Sequence, residues 1–126
     1  MSKLTLQDTN QIFKAFADEN RIRILHLLTV CKEICVCDIE TALEMPQSKV
    51  SRHLSYLKNA GLIDSRREGQ WAYYKLVKPE NNLQKNMIKC VKSCFRDVTS
   101  LQEDVGRLKK LVKNVDEISN SGSCCP

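Results

Sequence analysis

Two groups of side chains in this 126-residue chain have the types and spacing to do chemistry. The first is Cys35-Val36-Cys37-Asp38, in which two thiols stand two residues apart. Thiolates are soft donors suited to thiophilic ions, and a helix N-terminus beside a cysteine lowers its pKa and so supplies the ligand form. Cysteines at i and i+2 do not share a helical face, but their sulfurs converge where the chain is extended or just entering a first turn. The other cysteines are Cys31, four residues upstream, the pair Cys90 and Cys94, one helical turn apart, and the adjacent Cys124 and Cys125. The second group is the run Gln47, Ser48, Lys49, Ser51, Arg52, His53 and Ser55. Arg and Gln match guanine and adenine edges, while Lys and Ser donate to phosphates. His53 reads as a packed or phosphate-facing residue. His26, in Ile-Leu-His-Leu-Leu, reads as a satisfied residue at the edge of the core. Arg66 and Arg67 would reach phosphates or the minor groove from the tip of a hairpin.

Apolar spacing supplies the elements that position these groups. Leu6, Ile12, Phe13, Phe16 and Ala17 fit a first helix, and Asp18 caps a second carrying Ile22, Ile24, Leu25, Leu27 and Leu28. A third, short helix is expected from Cys37 or Asp38, with Ile39, Ala42 and Leu43 inward, ending before Met45-Pro46. Pro46 suits the first turn of a fourth helix, which buries Val50, Leu54 and Leu57 and stops at Gly61. A short helix, a tight turn and this polar-faced helix make a helix-turn-helix, whose second helix enters the major groove by its N-terminal half. Strand formers at Leu62-Ile63 and Trp71 to Val77 flank Glu68-Gly69, the expected tip of a basic wing. From Leu83, the positions Met87, Val91, Cys94, Val98, Leu101, Val105, Leu108, Val112 and Val115 alternate steps of four and three. Such a seam predicts one long, partner-seeking helix, in which Cys94 packs as a small hydrophobe.

The charge balance agrees with this placement. The formal net charge is +5, and residues 46–78 hold seven Lys/Arg against two Asp/Glu, whereas residues 1–45 hold five against seven. A basic excess confined to the helix-turn-helix and wing is the footprint of a nucleic-acid binder. The start of the chain has no secretory pattern and no apolar run approaches the ~20 residues that span a bilayer, so a cytoplasmic protein without a membrane partner is expected. There thiols stay reduced, and clustered cysteines read as metal ligands or redox sensors. No Gly-rich phosphate loop, Cys-x-x-Cys or Cys with a His base is present, which argues against an enzyme.

Residues 17–25 (ADENRIRIL), 33–39 (EICVCDI), 47–63 (QSKVSRHLSYLKNAGLI) and 66–76 (RREGQWAYYKL) together resemble the arsenic-repressor (ArsR/SmtB) family of winged-helix, metal-responsive repressors. The resemblance implies a mainly α fold with a small β-hairpin, a winged helix-turn-helix that dimerises through its first and last helices. Its expected organisation is a DNA-binding unit over 1–80, a dimerisation helix over 81–118 and a flexible cysteine tail over 119–126. It implies a homodimer on double-stranded operator DNA, released by a toxic metal or metalloid. Cys35 and Cys37 look like the family's metal box, but the third thiol of the founding arsenic repressors falls on Glu40 here. Cys31 is the favoured third ligand; Cys90, Cys94, Cys124 and Cys125 are the alternatives, since some arsenic repressors use C-terminal thiols. The family's zinc site needs His on the last helix, and residues 79–126 have none; its cadmium site recruits N-terminal cysteines, and residues 1–30 have none. As(III) or Sb(III) is therefore the expected inducer, ahead of Cd(II) or Pb(II), with no organic cofactor. The competing reading is a thiol redox or persulfide switch that pairs Cys31 with Cys90 or Cys94.

Overall fold

The first two helices begin where side chains satisfy their free amides. The structure, a computed structural model, describes residues 4–112. At the head of α1 (Leu6–Phe16), Thr5 Oγ1 accepts from the Asp8 amide and the Asp8 carboxylate accepts from the Thr5 amide, closing a capping box. Asp18 Oδ1 accepts from the amides of Asn20 and Arg21 at 2.9 and 3.1 Å and opens α2 (Glu19–Val30), as its position predicts. Strand β1 (Ile34–Cys35) then leads directly into α3 (Val36–Leu43), which starts one residue earlier than expected.

Glu44, held at φ 54°, turns the chain toward α4 (Gln47–Asn59). Pro46 is the N-cap of α4 and lies just outside the helix rather than in its first turn. The helix stops as its sequence demands: Gly61 at φ 80° donates to the Lys58 carbonyl and the Leu62 amide donates to that of Leu57. Strands β2 (Ile63–Glu68) and β3 (Trp71–Leu76) follow, and Gly69 at φ 63° makes the turn between them with Gln70. The expected hairpin is in fact a three-stranded antiparallel sheet in the order β1-β3-β2, with Cys35 opposite Tyr73 and Arg66 opposite the same tyrosine on its other side. A strand of two residues has no alternation to detect, so β1 left no sequence signal.

The core sits around α2, where Ile24, Leu25, Leu27 and Leu28 meet Ile39 and Leu43 of α3, Leu54 and Leu57 of α4, and Leu62. His26 is buried among them, and its Nδ1 has no hydrogen-bond partner among the described residues, contrary to the satisfied residue expected. Burial pushes its pKa down.

The single long helix expected over 81–118 is two helices, α5 (Asn82–Ser93) and α6 (Thr99–Leu111), separated by a break at 94–98. Val91, Leu108 and Val112 of the heptad seam join the chain's own core and Leu101 is also buried, whereas Cys94 and Val98 are exposed at the break. The same steps of four and three serve a core-facing stripe and a coiled-coil seam, and here they bring α6 back onto α2 and α3. Residues 113–118 of that expected helix, and the tail with Cys124 and Cys125, lie outside the described residues.

One buried charge fixes the returning helix. Asp104 of α6 is fully buried and accepts from Arg23 Nε at 3.0 Å and Nη2 at 2.9 Å, and from Arg107 Nη2 at 2.7 Å. Both arginines also reach the C-terminal carbonyls of α3: Arg23 donates to Leu43 at 2.8 Å and Arg107 to Ala42 at 2.6 Å. Removing one partner of a wholly buried ion pair costs about 3–5 kcal/mol, but these guanidiniums keep some water. Asp104→Asn is therefore expected to lose about 2 kcal/mol in urea unfolding; an unchanged midpoint would contradict the clamp.

Acidification tests the two histidines. Burial holds the pKa of His26 and His53 below the ordinary value, so between that lowered pKa and the unfolded value near 6.5 the unfolded chain binds more protons. Stability is accordingly full above about pH 7 and is lost as pH falls through about 6.5. Urea midpoints at pH 7.5 and 5.5 should differ in that sense, and His26→Gln should flatten the difference.

Candidate metal centre and nucleic-acid interface

The path of the chain from strand into helix brings the two thiols together. Cys35 ends β1 and is the N-cap of α3 in an extended conformation, φ −66° and ψ 142°, while Cys37 lies in the first turn of α3. The sulfurs converge to 3.0 Å. Cys35 is buried, Cys37 is half-buried and both are free thiols. The lowered thiol pKa expected at a helix N-terminus is not realised at Cys37, which is pushed up to about 11. Burial is the first cause, followed by the hydrogen bond with Cys35 and the charges of Cys35 and Asp38. An ion captured here must displace thiol protons.

Cys31 does not join the pair. It is fully buried at the C-terminal end of α2, with Sγ 3.5 Å from the Glu33 carbonyl oxygen, and it is disulfide-bonded rather than a free thiol. Among the described residues no group of three or more His, Cys, Asp or Glu side chains is placed to hold a metal ion. Cys90 and Cys94 are free, so the disulfide of Cys31 with either, which the competing redox reading would require in its oxidised state, is not present. The donor set at the head of α3 is thus a soft dithiol, which fits a thiophilic ion through two sulfurs.

The polar run on α4 divides between outside and inside. Gln47, Ser48, Arg52 and Ser55 are exposed, with Lys49 and Ser51 partly so. His53 is buried, with Nδ1 3.5 Å from Arg21 Nη1, so it does not belong to the reading face. Its place was legible: His53 falls three residues after Val50 and four before Leu57, on the stripe that α4 buries. Arg21 itself stacks over Tyr56, 4.0 Å from the ring centroid, and donates to the carbonyls of Ala15 and Lys14 at the end of α1. No acidic side chain stands in the first turn of α4, so its exposed end presents only neutral and basic groups.

The wing arginines differ. Arg67 is exposed. Arg66 makes a two-pronged bond to Glu33, Nε to Oε2 at 2.8 Å and Nη2 to Oε1 at 2.7 Å, and a further contact to Glu68 at 3.3 Å. Its guanidinium also lies over Tyr73, 4.5 Å from the centroid. Sequence reasoning missed Glu33, although an acidic residue directly before an apolar strand and a dithiol was a usable signal. It missed Asp104 as well, a carboxylate on the apolar stripe between the buried Leu101 and Leu108. Lys58 Nζ donates to Ser65 Oγ at 2.8 Å and ties the end of α4 to the wing.

Comparison with known proteins places these features. Residues 18–65, from the Asp18 cap into β2, match the profile described as "Bacterial regulatory protein, arsR family". The arsenical resistance operon repressor of Escherichia coli K12 is 48% identical over 66 residues, 52% of this chain and 56% of that protein. A homologue of a cadmium resistance transcriptional regulatory protein from Staphylococcus aureus is 37% identical over 76 residues, 60% of this chain and 63% of its own length. The match therefore spans little more than half the length of these two curated relatives. Among solved structures, HlyU from Vibrio cholerae N16961 superposes with a TM-score of 0.60 at 32% identity, covering 74% of this chain and 94% of HlyU. The shared architecture is a winged helix-turn-helix.

The raised Cys37 pKa has a direct chemical readout. At pH 8 a shift from about 9 to about 11 cuts the thiolate fraction roughly a hundredfold, and the greater nucleophilicity of the more basic thiolate returns part of that. Residue-resolved alkylation by iodoacetamide should be about tenfold slower at Cys37 in the folded protein than in the urea-unfolded chain; equal rates would contradict the buried, hydrogen-bonded thiol.

Proposed function

Because the chain belongs to the arsR family of bacterial regulatory proteins, we propose that it is a transcriptional repressor that binds operator DNA and leaves it when a thiophilic ion is captured by Cys35 and Cys37. The observation that carries this reading is the position of the free, converging sulfurs at the head of α3, the helix that leads through the Glu44 turn into α4. Gln47, Ser48, Lys49, Ser51 and Arg52 meet the major groove and Arg67 of the wing meets phosphate. The protein acts as a homodimer on a palindromic site in the cytoplasm, joined in part through the outer face of α1, where Leu6 and Phe13 are 85% and 50% exposed. The ion must bind the DNA-free conformation more tightly than the DNA-bound one, since equal affinity would shift nothing. As(III) or Sb(III) is the proposed inducer, in keeping with the arsenical resistance relative; Cd(II) or Pb(II) would suit the same soft donors, as the cadmium resistance relative suggests. Catalysis forms no part of this reading.

A second reading, a thiol redox switch, is favoured by one observation, the disulfide-bonded state of Cys31. A titration separates the two. The duplex is drawn from the DNA upstream of the protein's own coding sequence, and the effectors are arsenite, antimonite, Cd(II), Pb(II) and peroxide. Arsenite is expected to weaken wild-type binding at least tenfold, while Cys35→Ser and Cys37→Ser still bind the duplex but no longer respond. Cys31→Ser tests the redox reading, and the double change Cys124→Ser/Cys125→Ser shows whether one of those thiols completes the site. Arg52→Ala should weaken binding by about 1–3 kcal/mol. Release by peroxide alone, reversed by a reductant, would replace the ion reading with the redox one.

A further inference from the structure

We propose that Arg66 is not a DNA contact but a positioning residue, which with Glu33 locks the wing to the dithiol strand and so couples the state of Cys35 and Cys37 to DNA affinity. The inference rests on the repressor reading above and names the path by which its two sites communicate.

The connection is continuous and short. Glu33 stands immediately before β1, two residues from Cys35, and its side chain is only 8% exposed. Its carboxylate holds Arg66 of β2 through two parallel hydrogen bonds, a geometry that fixes both position and orientation. Arg66 lies opposite Tyr73 in the ladder and over its ring, and Tyr73 is paired on its other side with Cys35. Glu33, Cys35, Tyr73 and Arg66 therefore form a closed loop across all three strands. The backbone of β1 is held to β3 through only two residue pairs, so the Glu33–Arg66 bond is a substantial part of what holds that strand to the wing. A guanidinium engaged by one carboxylate on two nitrogens, by Glu68 on a third and by an aromatic face has little left to offer a phosphate. Although Arg66 is itself 45% exposed, its donors are engaged; Arg67, the next residue, is exposed and takes that role.

The test uses the full-length chain in two arms. In the first, without ion or DNA, iodoacetamide probes the thiols residue by residue. Glu33→Gln and Arg66→Gln should each raise the alkylation rate of Cys35 and Cys37 at least fivefold and leave exposed Cys94 unchanged. The exchanged pair, Glu33→Arg with Arg66→Glu, should return the rates toward wild type. Unchanged Cys35 and Cys37 rates in both single variants would overturn the proposal. In the second arm, sodium arsenite is titrated against operator complexes. Glu33→Gln should bind the operator within about threefold of wild type and take up arsenite as wild type does, yet lose most of the arsenite-induced release. Arg66→Ala that weakens binding tenfold or more and lowers the salt slope by about one would make Arg66 a phosphate contact and overturn the proposal. If wild type keeps its operator in arsenite, antimonite, Cd(II) and Pb(II) while the first arm behaves as expected, the ion-released repressor reading fails and the mechanical link stands.

Discussion

The fold depends on one carboxylate that has no access to water. Asp104 is wholly buried, and a charge in that position persists only if it is paired and its oxygens are satisfied. Arg23 and Arg107 do both, and their remaining donors cap the last carbonyls of α3. The interaction therefore sets the place of three helices at once: α6, which carries Asp104; α2, which carries Arg23; and α3, whose C-terminal end is held by both arginines. Alternative packings of α6 would leave a charge unpaired in the core, so the arrangement is selective as well as cohesive.

With its C-terminal end clamped by the arginines, α3 carries Cys35 and Cys37 at its other end. That end is joined not to another helix but to the sheet of the wing, through the two residues of β1. The reading helix α4 and the wing, the two parts of the fold that would touch DNA, are thus both attached to α3, one beyond the Glu44 turn and one through β1. A soft dithiol placed at this junction lies upstream of both. Chemistry at the sulfurs need move only a short strand and a first helical turn to be felt at the DNA-facing surface.

Much of this was legible in the residues. Val50, Leu54, Leu57 and the Gly61 stop define α4, Asp18 defines the start of α2, and Cys35-Val36-Cys37 defines the dithiol, because each signal is local and has a period or a cap behind it. What escaped was of two kinds. Some features were too short to carry a period, as with β1; the break between α5 and α6 left the apolar spacing undisturbed, so the seam from Met87 to Val112 read as one helix. Others are pairings across long stretches of chain: Arg23 with Asp104, and Glu33 with Arg66. Spacing along a sequence can mark Asp104 as a charge on an apolar stripe, but the partner's identity is set only by the tertiary fold. His53 belongs to neither kind: both a packed and a phosphate-facing place were open to it, and its position on the buried stripe decides for the first.

The central claim is that ion capture and DNA binding are alternative states of one chain, linked by a single free energy. Linkage then requires that the operator weaken ion binding by the same factor by which the ion weakens operator binding. The most direct measurement is the arsenite affinity of the protein–operator complex against that of the free protein, with the operator at saturation. The account predicts at least a tenfold weaker affinity in the complex, equal to the arsenite-induced loss of operator affinity. Equal arsenite affinities for free and DNA-bound protein would contradict it.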